Sequence, residues 1–253
     1  MKNKLYQLRS SGSLPRDHRY KNILANEYRL IKLSYPHIDE FQGKVAECVQ
    51  AYSRNEEKKL RIIEIGCGDG LTTGTLLSSC NDIDLIAVDI EPEMIKLAEK
   101  NLAEWRDRRT FELIISDALT YLYSEPDCSF DIVVSAWTLH NFNKSYRLSV
   151  LNSIYRVLKP NGLLVNGDKY ARNDVTHHES LIIQMKRFFD AYLPIAQYEF
   201  LRDFVIHNLE DESPERIMRE NEFIQDLSAI GFINITNVYR ELMEAVYIAS
   251  KPG

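Results

Sequence analysis

The stretch Ile62-Ile63-Glu64-Ile65-Gly66-Cys67-Gly68-Asp69-Gly70 decides the fold class of this chain. An apolar run with one acid leads directly into a glycine-rich turn, and residues from Leu71 onward have the pattern of a helix. A buried strand, a tight turn and a helix in this order open the α/β folds that bind nucleotide-like ligands at the carboxyl ends of their strands. The glycines follow G-x-G-x-G, and Leu71 stands where G-x-G-x-x-G needs its third glycine. Glu64 and Asp69 flank the turn and would repel a pyrophosphate at the helix N-terminus, so the stretch favours a ligand that carries positive charge.

The composition is that of a folded protein of moderate size. The chain has 253 residues, of which 45% are hydrophobic and 27% are charged. This length suits one α/β domain with additions. The formal net charge of -6 argues against non-specific binding of nucleic acid or of anionic lipid.

The cysteines and histidines show no metal-ligand spacing. Four cysteines are spread along the chain without a C-x-x-C pair, which predicts a reducing compartment rather than a disulfide framework or structural zinc. His177 and His178 are adjacent and would not face one another on a helix. We therefore expect no metal site.

The chain shows no signal for membrane insertion or export. No apolar run reaches the ~18 residues of a membrane span, and the segment Met1–Leu5 lacks the apolar core of a signal peptide. We therefore expect a cytoplasmic protein without a membrane partner.

Strand and helix patterns alternate regularly from Leu60 onward. The predicted strands are Leu60–Ile65, Leu85–Ile90, Thr110–Ile115, Phe130–Ala136 and Gly162–Asn166. The helices predicted between them are Leu71–Ser79, Pro92–Arg106, Ala118–Tyr123 and Ser145–Leu158. Near-continuous apolar strands between amphipathic helices indicate a parallel sheet that is covered on both faces.

The two ends of the chain depart from this alternation. Residues 1–58 predict an N-terminal helical extension, and residues 59–253 predict the main domain. Residues 170–213 interrupt that domain with a helical, aromatic-rich insert. The last two β-rich runs, Phe232–Tyr239 and Ala245–Ser250, predict an antiparallel hairpin at the sheet edge.

Three carboxylates end three successive predicted strands. Glu64, Asp89 and Asp117 each stand within two residues of the last residue of a predicted strand. The carboxyl ends of parallel strands meet at one edge of an open sheet, and ligands bind there. The three acids together therefore predict a ligand site, although each alone could serve as a helix cap.

Two further segments give the chain a family resemblance. A helix ending in Gly231-Phe232 precedes the terminal hairpin, and Leu158-Lys159-Pro160-Asn161-Gly162 departs from the common Leu-Lys-Pro-Gly-Gly only at Asn161. With the glycine turn and the strand-end acids, the chain resembles the class I S-adenosylmethionine-dependent methyltransferases from about Leu60 to the C-terminus. The resemblance implies a Rossmann-like α/β fold, a seven-stranded sheet with helices on both faces and a C-terminal antiparallel hairpin.

The resemblance also implies the cofactor, S-adenosyl-L-methionine, and the residues that bind it. It assigns the ammonium end of the cofactor to Glu64, the ribose hydroxyls to Asp89 and the adenine amine to Asp117. The glycines allow the backbone to approach the methionine part. The expected cofactor-binding residues are Glu64, Gly66, Cys67, Gly68, Asp89, Ile90, Asp117, Ala118 and Ser135.

The segment after the fourth strand is expected to face the methyl acceptor. Trp137, His140 and Tyr170 are the expected substrate-binding residues, and Lys169 lies beside Tyr170. His140 is also the candidate catalytic residue, as a general base or as a group that positions the acceptor. The alternative is that its imidazole only caps or packs in the loop.

Two features of the sequence indicate the class of the methyl acceptor: a motif that is absent after the fourth strand, and the helical insert 170–213. The Asn/Asp-Pro-Pro-Tyr/Phe signature of amino methylation on bases and glutamine is absent, since Ser135-Ala136-Trp137-Thr138 stands in its place. Residues 170–213 are long enough to cover an acceptor site. We therefore expect a methyltransferase for a small-molecule acceptor, with nucleic acid disfavoured and the oligomeric state, including a homodimer, open.

Two alternatives remain at the sequence level. The layout also resembles carboxy-S-adenosylmethionine synthase of tRNA wobble-uridine modification, which needs basic groups to hold an added carboxylate. Arg172, Arg187 and Arg202 in the insert are the candidates for that role. A non-catalytic subunit that only binds the cofactor is the other alternative.

Overall fold

The computed structural model describes residues 28–54 and 58–253. In this part of the chain, seven strands form one sheet in the order β3-β2-β1-β4-β5-β7-β6. The strands are β1 Leu60–Ile65, β2 Ile83–Asp89, β3 Thr110–Ile115, β4 Phe130–Ala136, β5 Leu158–Lys169, β6 Ile233–Glu241 and β7 Glu244–Ser250. The first five pair in parallel, and β7 is antiparallel to both β5 and β6. The predicted seven-stranded α/β sheet with a terminal antiparallel hairpin is confirmed.

Eight α-helices accompany the sheet in the described residues. They are α1 Ile38–Ser53, α2 Leu71–Ser79, α3 Pro92–Asn101, α4 Ala118–Ser124, α5 Lys144–Val157, α6 Val175–Tyr192, α7 Tyr198–Glu210 and α8 Glu220–Ile230. Short 3₁₀ segments occur at Tyr28–Leu33, Ala103–Trp105 and Leu139–Asn141. None of the helices in the described ranges is both long and apolar enough to cross a membrane.

Local sequence signals explain where several helices begin. Asp117 caps α4 by accepting a hydrogen bond from the Thr120 amide, and Asn143 caps α5 in the same way through the Tyr146 amide. These side chains satisfy amides that a helix start leaves without a partner. Each cap also fixes where its helix leaves the edge of the sheet.

Alternation along the strands distributes the core over both faces of the sheet. In β1, Ile62 packs with the cluster formed by α1, α2 and α3, whereas Ile63 and Ile65 pack with the cluster of α4, α5 and α8. Successive side chains of a strand point to opposite faces. Glu64 therefore points to the same face as Ile62, toward α2.

A third, smaller core lies in a cap above the sheet edge. Four aromatic side chains of α6 and α7 pack with Leu201 and with Ile31 of the N-terminal 3₁₀ segment; they are Phe188, Tyr192, Phe200 and Phe204. The Ser34 hydroxyl lies 2.6 Å from the Tyr192 hydroxyl and links the N-terminal segment to α6. We call this unit, residues 28–37 and 175–211, the cap.

Several boundaries differ from the sequence prediction. The helix predicted to reach Arg106 ends at Asn101, because Leu102 leaves helical geometry with its side chain buried. The strand predicted to start at Gly162 starts at Leu158, which pairs with Phe130 of β4 before the register shifts. Of the predicted N-terminal extension 1–58, residues 1–27 and 55–57 lie outside the described residues.

We predict that Gly167→Ala destabilises the fold. A Cβ at position 167 in β5 would lie 2.8 Å from Phe41 Cζ and 2.9 Å from Val45 Cγ2 of α1. Overpacking of this kind costs about 1–3 kcal/mol, so the melting temperature should fall by roughly 2–4 °C per kcal/mol. Gly43→Ala is the matched control, because a Cβ there meets nothing within 4 Å and alanine favours a helix by up to about 1 kcal/mol. Equal melting temperatures for the two variants would contradict the proposed contact between α1 and β5.

Candidate functional site

The glycine turn after β1 is locked against the loop after β4. Gly66 has a φ of +73°, and a Cβ there would lie 2.2 Å from Thr138 Oγ1. The Thr138 hydroxyl lies 3.1 Å from the Gly66 carbonyl oxygen and can donate to it. Only glycine combines this backbone conformation with this approach, so position 66 joins the carboxyl ends of β1 and β4.

Asp89 holds the other side of the turn. Its Oδ2 accepts a hydrogen bond of 2.9 Å from the Gly68 amide, and its Oδ1 accepts one of 2.9 Å from the Glu91 amide. Burial raises the pKa of this carboxyl group above its usual range. A carboxylate has about four acceptor positions, so Asp89 can still accept hydrogen bonds from hydroxyl groups of a ligand.

Glu64 is buried at the end of β1. The Thr73 hydroxyl of α2 donates a 2.6 Å hydrogen bond to its Oε2. Burial raises the pKa of Glu64 to about 7, against the effect of the Thr73 hydrogen bond, and the nearby Asp89 raises it further. A cationic group of a ligand would favour the charged carboxylate at this position.

Asp117 and Ser135 complete the row of strand ends. Besides capping α4, Asp117 accepts a 2.6 Å hydrogen bond from the Tyr146 hydroxyl through Oδ2. Tyr146 therefore competes for the carboxylate that the resemblance assigns to an adenine amine. The buried Ser135 hydroxyl in β4 has no hydrogen-bond partner among the described residues.

The sheet order brings the expected cofactor residues to one edge. Because the strands lie in the order β3-β2-β1-β4, Asp117, Asp89, Glu64 and Ser135 follow one another along that edge. Cys67 is buried in the turn with Ala87 and Ile95, and burial raises the pKa of its thiol. Ile90 follows β2 and Ala118 opens α4, so both accompany the neighbouring acids. These acceptor groups suit the ammonium and hydroxyl groups of S-adenosylmethionine.

A cavity opens beside this row, at the ends of β4, β5 and β7. Its empty space is about 370 Å³, part of it open to solvent, and six of its lining residues are Tyr35, Trp137, His140, Lys169, Phe204 and Glu244. The cavity thus lies between the sheet and the cap.

Trp137 forms a wall of the cavity. It follows β4 with a φ of +50° and donates a 2.8 Å backbone hydrogen bond to the Gly167 carbonyl. Its ring stacks on Phe41 at 4.9 Å between centroids, with the ring of Tyr35 at 5.0 Å. The indole is therefore fixed by α1 and by the N-terminal segment of the cap.

His140 is buried and oriented by a second acid. Its Nδ1 lies 2.5 Å from Oδ1 of Asp168 in β5, and Asp168 Oδ2 also accepts a 2.9 Å hydrogen bond from the Leu139 amide. When Nδ1 donates to Asp168, Nε2 carries the ring's lone pair. That nitrogen lies 3.8 Å from Asp211 Oδ2. The imidazole thus packs in the loop and also lines the cavity.

The side chains of the consecutive residues Lys169 and Tyr170 point in opposite directions, one to the cavity and the other into the core. Lys169 lines the cavity, with Nζ 3.4 Å from Asp211 Oδ2 and 3.6 Å from Glu212 Oε1. Tyr170 is fully buried instead, where its ring packs against Phe223 and Tyr247 in the core. The structure therefore does not bring Tyr170 to the cavity with Trp137 and His140.

Sequence reasoning missed four polar residues of this region: His207 and Glu244 line the cavity, and Asp168 and Asp211 lie beside His140. Asp168 could have been found, because it stands near the carboxyl end of a strand as Glu64 and Asp89 do. His207 and Asp211 belong to the cap, whose orientation no local pattern reports. Glu244 opens the second strand of the terminal hairpin, so only the sheet order brings it near β5.

We predict that Glu64→Gln stabilises the ligand-free protein in a pH-dependent way. The folded-state pKa of about 7 lies above the ordinary value of 4.5, so the burial penalty is absent below about pH 4.5 and complete above about pH 7. Removing the ionisable group should raise the free energy of unfolding on the order of 3 kcal/mol at pH 8 and about 1 kcal/mol at pH 5.

Urea denaturation of both proteins at the two pH values measures this difference. Exposed Glu104 provides the control, and Glu104→Gln should change the free energy of unfolding little at either pH. An equal gain for Glu64→Gln at pH 5 and pH 8 would rule out the raised pKa.

Comparisons with known proteins agree with this geometry. Residues 62–162 match the family model described as "Methyltransferase domain". The chain is 26% identical over 141 residues to "O-methyltransferase 3" of Dictyostelium discoideum. This match covers 55% of this chain and 32% of that protein. It is 29% identical over 195 residues to "Carboxy-S-adenosyl-L-methionine synthase" of Trichodesmium erythraeum, covering 73% of this chain and 70% of that protein.

A solved structure extends the agreement to the whole fold. A putative S-adenosyl-L-methionine-dependent methyltransferase from Methanococcus maripaludis superposes with a TM-score of 0.61 at 19% identity, covering 96% of this chain and 98% of that one. The matched segment 62–162 contains the glycine turn and the three strand-end acids. Residues 62–162 therefore match a methyltransferase domain, and the fold as a whole is similar to that of the solved S-adenosyl-L-methionine-dependent methyltransferase.

Proposed function

We propose that this protein transfers a methyl group from S-adenosyl-L-methionine to a small molecule held in the cavity beside His140. One observation supports this best. The Thr138 hydroxyl touches Gly66 of the glycine turn, while its neighbours Trp137 and His140 line the cavity. The expected cofactor turn and the cavity are therefore separated by a single side chain. In-line methyl transfer requires such proximity of donor and acceptor.

The donor set at the strand ends fits the cofactor. Glu64 would hold its ammonium group, Asp89 its ribose hydroxyls, and Asp117 with Tyr146 its adenine edge. The unpartnered Ser135 hydroxyl is a further polar group at this edge. When bound, S-adenosylmethionine supplies an electrophilic methyl group on a sulfonium sulfur that leaves as a neutral thioether.

The residues around the cavity would shield the acceptor from water and position it. Trp137, Tyr35 and Phe204 shield it from water with aromatic surface, which strengthens polar interactions inside. His140, held by Asp168, is placed to contact the acceptor through Nε2 and to position it. We propose residues 170–213 as the segment that covers the acceptor, since α7 supplies Phe204 and His207 to the cavity.

The carboxy-cofactor alternative has less support from the geometry. The Trichodesmium protein carries that activity in its name, and its match covers most of both chains. The three candidate arginines are instead paired with acids: Arg172 with Asp174 at 3.5 Å, Arg187 with Glu241 at 2.8 Å and Arg202 with Asp203 at 2.7 Å. Arg172 and Arg202 do not line the cavity, Arg187 lines only a pocket that adjoins it, and a carboxylate, Glu244, lines both. An added carboxylate would meet this acid, so we favour methyl transfer.

A cytoplasmic location remains part of the proposal. All four cysteines lie in the described residues and are free thiols, and Cys67 and Cys80 are buried. Unpaired buried cysteines are typical of proteins that work in a reducing compartment.

We predict that Asp89→Asn weakens cofactor binding. Loss of a charged acceptor for hydroxyl groups costs about 1.5–3 kcal/mol, so the dissociation constant for S-adenosylmethionine should rise roughly 10- to 150-fold. Isothermal titration measures it, with Asp82→Asn, an exposed acid just before β2, as the control. No heat of binding for the unaltered protein would refute the proposed function. An unchanged dissociation constant for Asp89→Asn would refute the role of this residue.

We predict that His140→Ala and Asp168→Asn slow methyl transfer without weakening cofactor binding. The assay follows isotope-labelled methyl groups from S-adenosylmethionine into a small-molecule cell extract. Turnover should fall at least ~100-fold, as is typical for a group that contacts the reacting centre, while cofactor affinity changes little. His178→Ala, an exposed histidine on α6, should behave as the unaltered protein does.

The same assay separates the alternatives. Label recovered in RNA rather than in small molecules would contradict the proposed acceptor class. A co-purified ligand with the greater mass of the carboxylated cofactor would instead favour the synthase. Cofactor binding without label transfer to any acceptor would favour a non-catalytic subunit.

A further inference from the structure

Three metal-type ligands converge beside the cavity. One ligand atom each of His140, His207 and Asp211 lies within 4.8 Å of the others, and all three residues are buried. The expectation from sequence was no metal site, because the cysteines are spread along the chain and His177 and His178 are adjacent. Two histidines and one carboxylate form a ligand set that suits divalent transition-metal ions and leaves coordination positions open.

The fold brings these residues together from two elements. His207 lies in the last turn of α7, and Asp211 follows four residues later with helical backbone angles. Residues four apart on a helix share one face. His140 approaches that face from the 3₁₀ segment after β4, with Nε2 3.8 Å from Asp211 Oδ2. Small side-chain adjustments would bring both atoms to the ~2.0–2.2 Å that metal–ligand bonds require.

Asp168 supports His140 as a metal ligand. Its carboxylate lies 2.5 Å from Nδ1 of His140, the ring nitrogen away from Asp211. Histidines that bind metals almost always donate their other ring nitrogen to a carboxylate or carbonyl group, which fixes the ring and leaves the ligating nitrogen basic. Asp168 accepts from the Leu139 amide as well, so it is itself held in place.

Lys169 lies beside Asp211 and would compete with an ion for its carboxylate. Its Nζ lies 3.4 Å from Asp211 Oδ2, but also 3.4 Å from Asn208 Oδ1 and 3.6 Å from Glu212 Oε1. These contacts are long for hydrogen bonds to an ammonium group. Lys169 can therefore remain with Asn208 and Glu212 while Asp211 turns to an ion.

We propose that His140 Nε2, His207 and Asp211 bind one divalent transition-metal ion at the wall of the cavity. Binding of the ion does not depend on the proposed function, but its use rests on it. His140 and His207 both line the cavity, so an ion held by them would have its open positions toward the acceptor. The acceptor class that fits is a small molecule with an oxygen ligand, such as a hydroxyl or carbonyl group, which the ion would hold and polarise. His140 would then position the acceptor through the ion.

Metal titration of the full chain tests the proposal. The protein is stripped with a chelator, and Zn²⁺ and Mn²⁺ are added separately while binding is followed by calorimetry and metal content by mass spectrometry. We expect one ion per chain, and His207→Ala and Asp211→Asn should weaken binding at least ~100-fold, since each removes one of three ligands. His178→Ala on α6 is the control and should bind as the unaltered protein does. No binding near one equivalent, or binding that both ligand variants retain, would overturn the proposal.

Two further measurements keep the outcome interpretable. Lys169→Met removes the competing charge beside Asp211 and should tighten metal binding, whereas a site elsewhere on the chain would not respond. Titration with S-adenosylmethionine shows whether each variant is folded and tests the proposed function by itself. Metal binding without cofactor binding would refute the proposed function alone, and cofactor binding without metal binding would refute the ion alone.

Discussion

The contact between Thr138 and Gly66 is the constraint on which the site depends. The loops after β1 and β4 approach so closely that a Cβ on residue 66 would overlap the threonine side chain. Because Thr138 is fixed there, Trp137 on one side adopts a positive φ and stacks on α1. His140 on the other side is held two residues further on, where Asp168 can reach it. A strand-end glycine thus determines the geometry of the cavity as well as that of the turn.

Buried charge is balanced differently in the two halves of the site. At the glycine turn, buried Glu64 accepts a hydrogen bond from the Thr73 hydroxyl, and burial raises its pKa toward neutrality. Around the cavity, acids and bases are interleaved: Asp168 contacts His140, and Asp211 lies near both His140 and Lys169. A buried charge without a partner is costly. The first half therefore favours a ligand that brings positive charge, whereas the second half already holds its own cation.

Much of the cofactor half could be predicted from the sequence, because it is encoded locally. β1, β3 and β4 have the predicted limits, and the strand-end acids lie along one edge since parallel strands leave no other arrangement. The cavity half could not be predicted in the same way. Whether Lys169 or Tyr170 faces the cavity is decided by the register of β5 against β7, in which a shift of one residue exchanges the faces. The meeting of His207 with His140 requires the cap to be seated on the sheet, which no local pattern specifies.

The family match covers the strand-end residues but only part of the cavity. The matched segment 62–162 contains the turn, the strand-end acids and His140. Lys169, His207, Asp211 and Glu244 all lie beyond it. The cap also packs around its own aromatic core, separate from the two cores that cover the sheet. A cap with its own core can change its inner surface while the sheet and the cofactor edge stay the same. The residues that the cap and the terminal hairpin add around His140 therefore lie outside the shared segment, whereas the glycine turn and the strand-end acids lie within it.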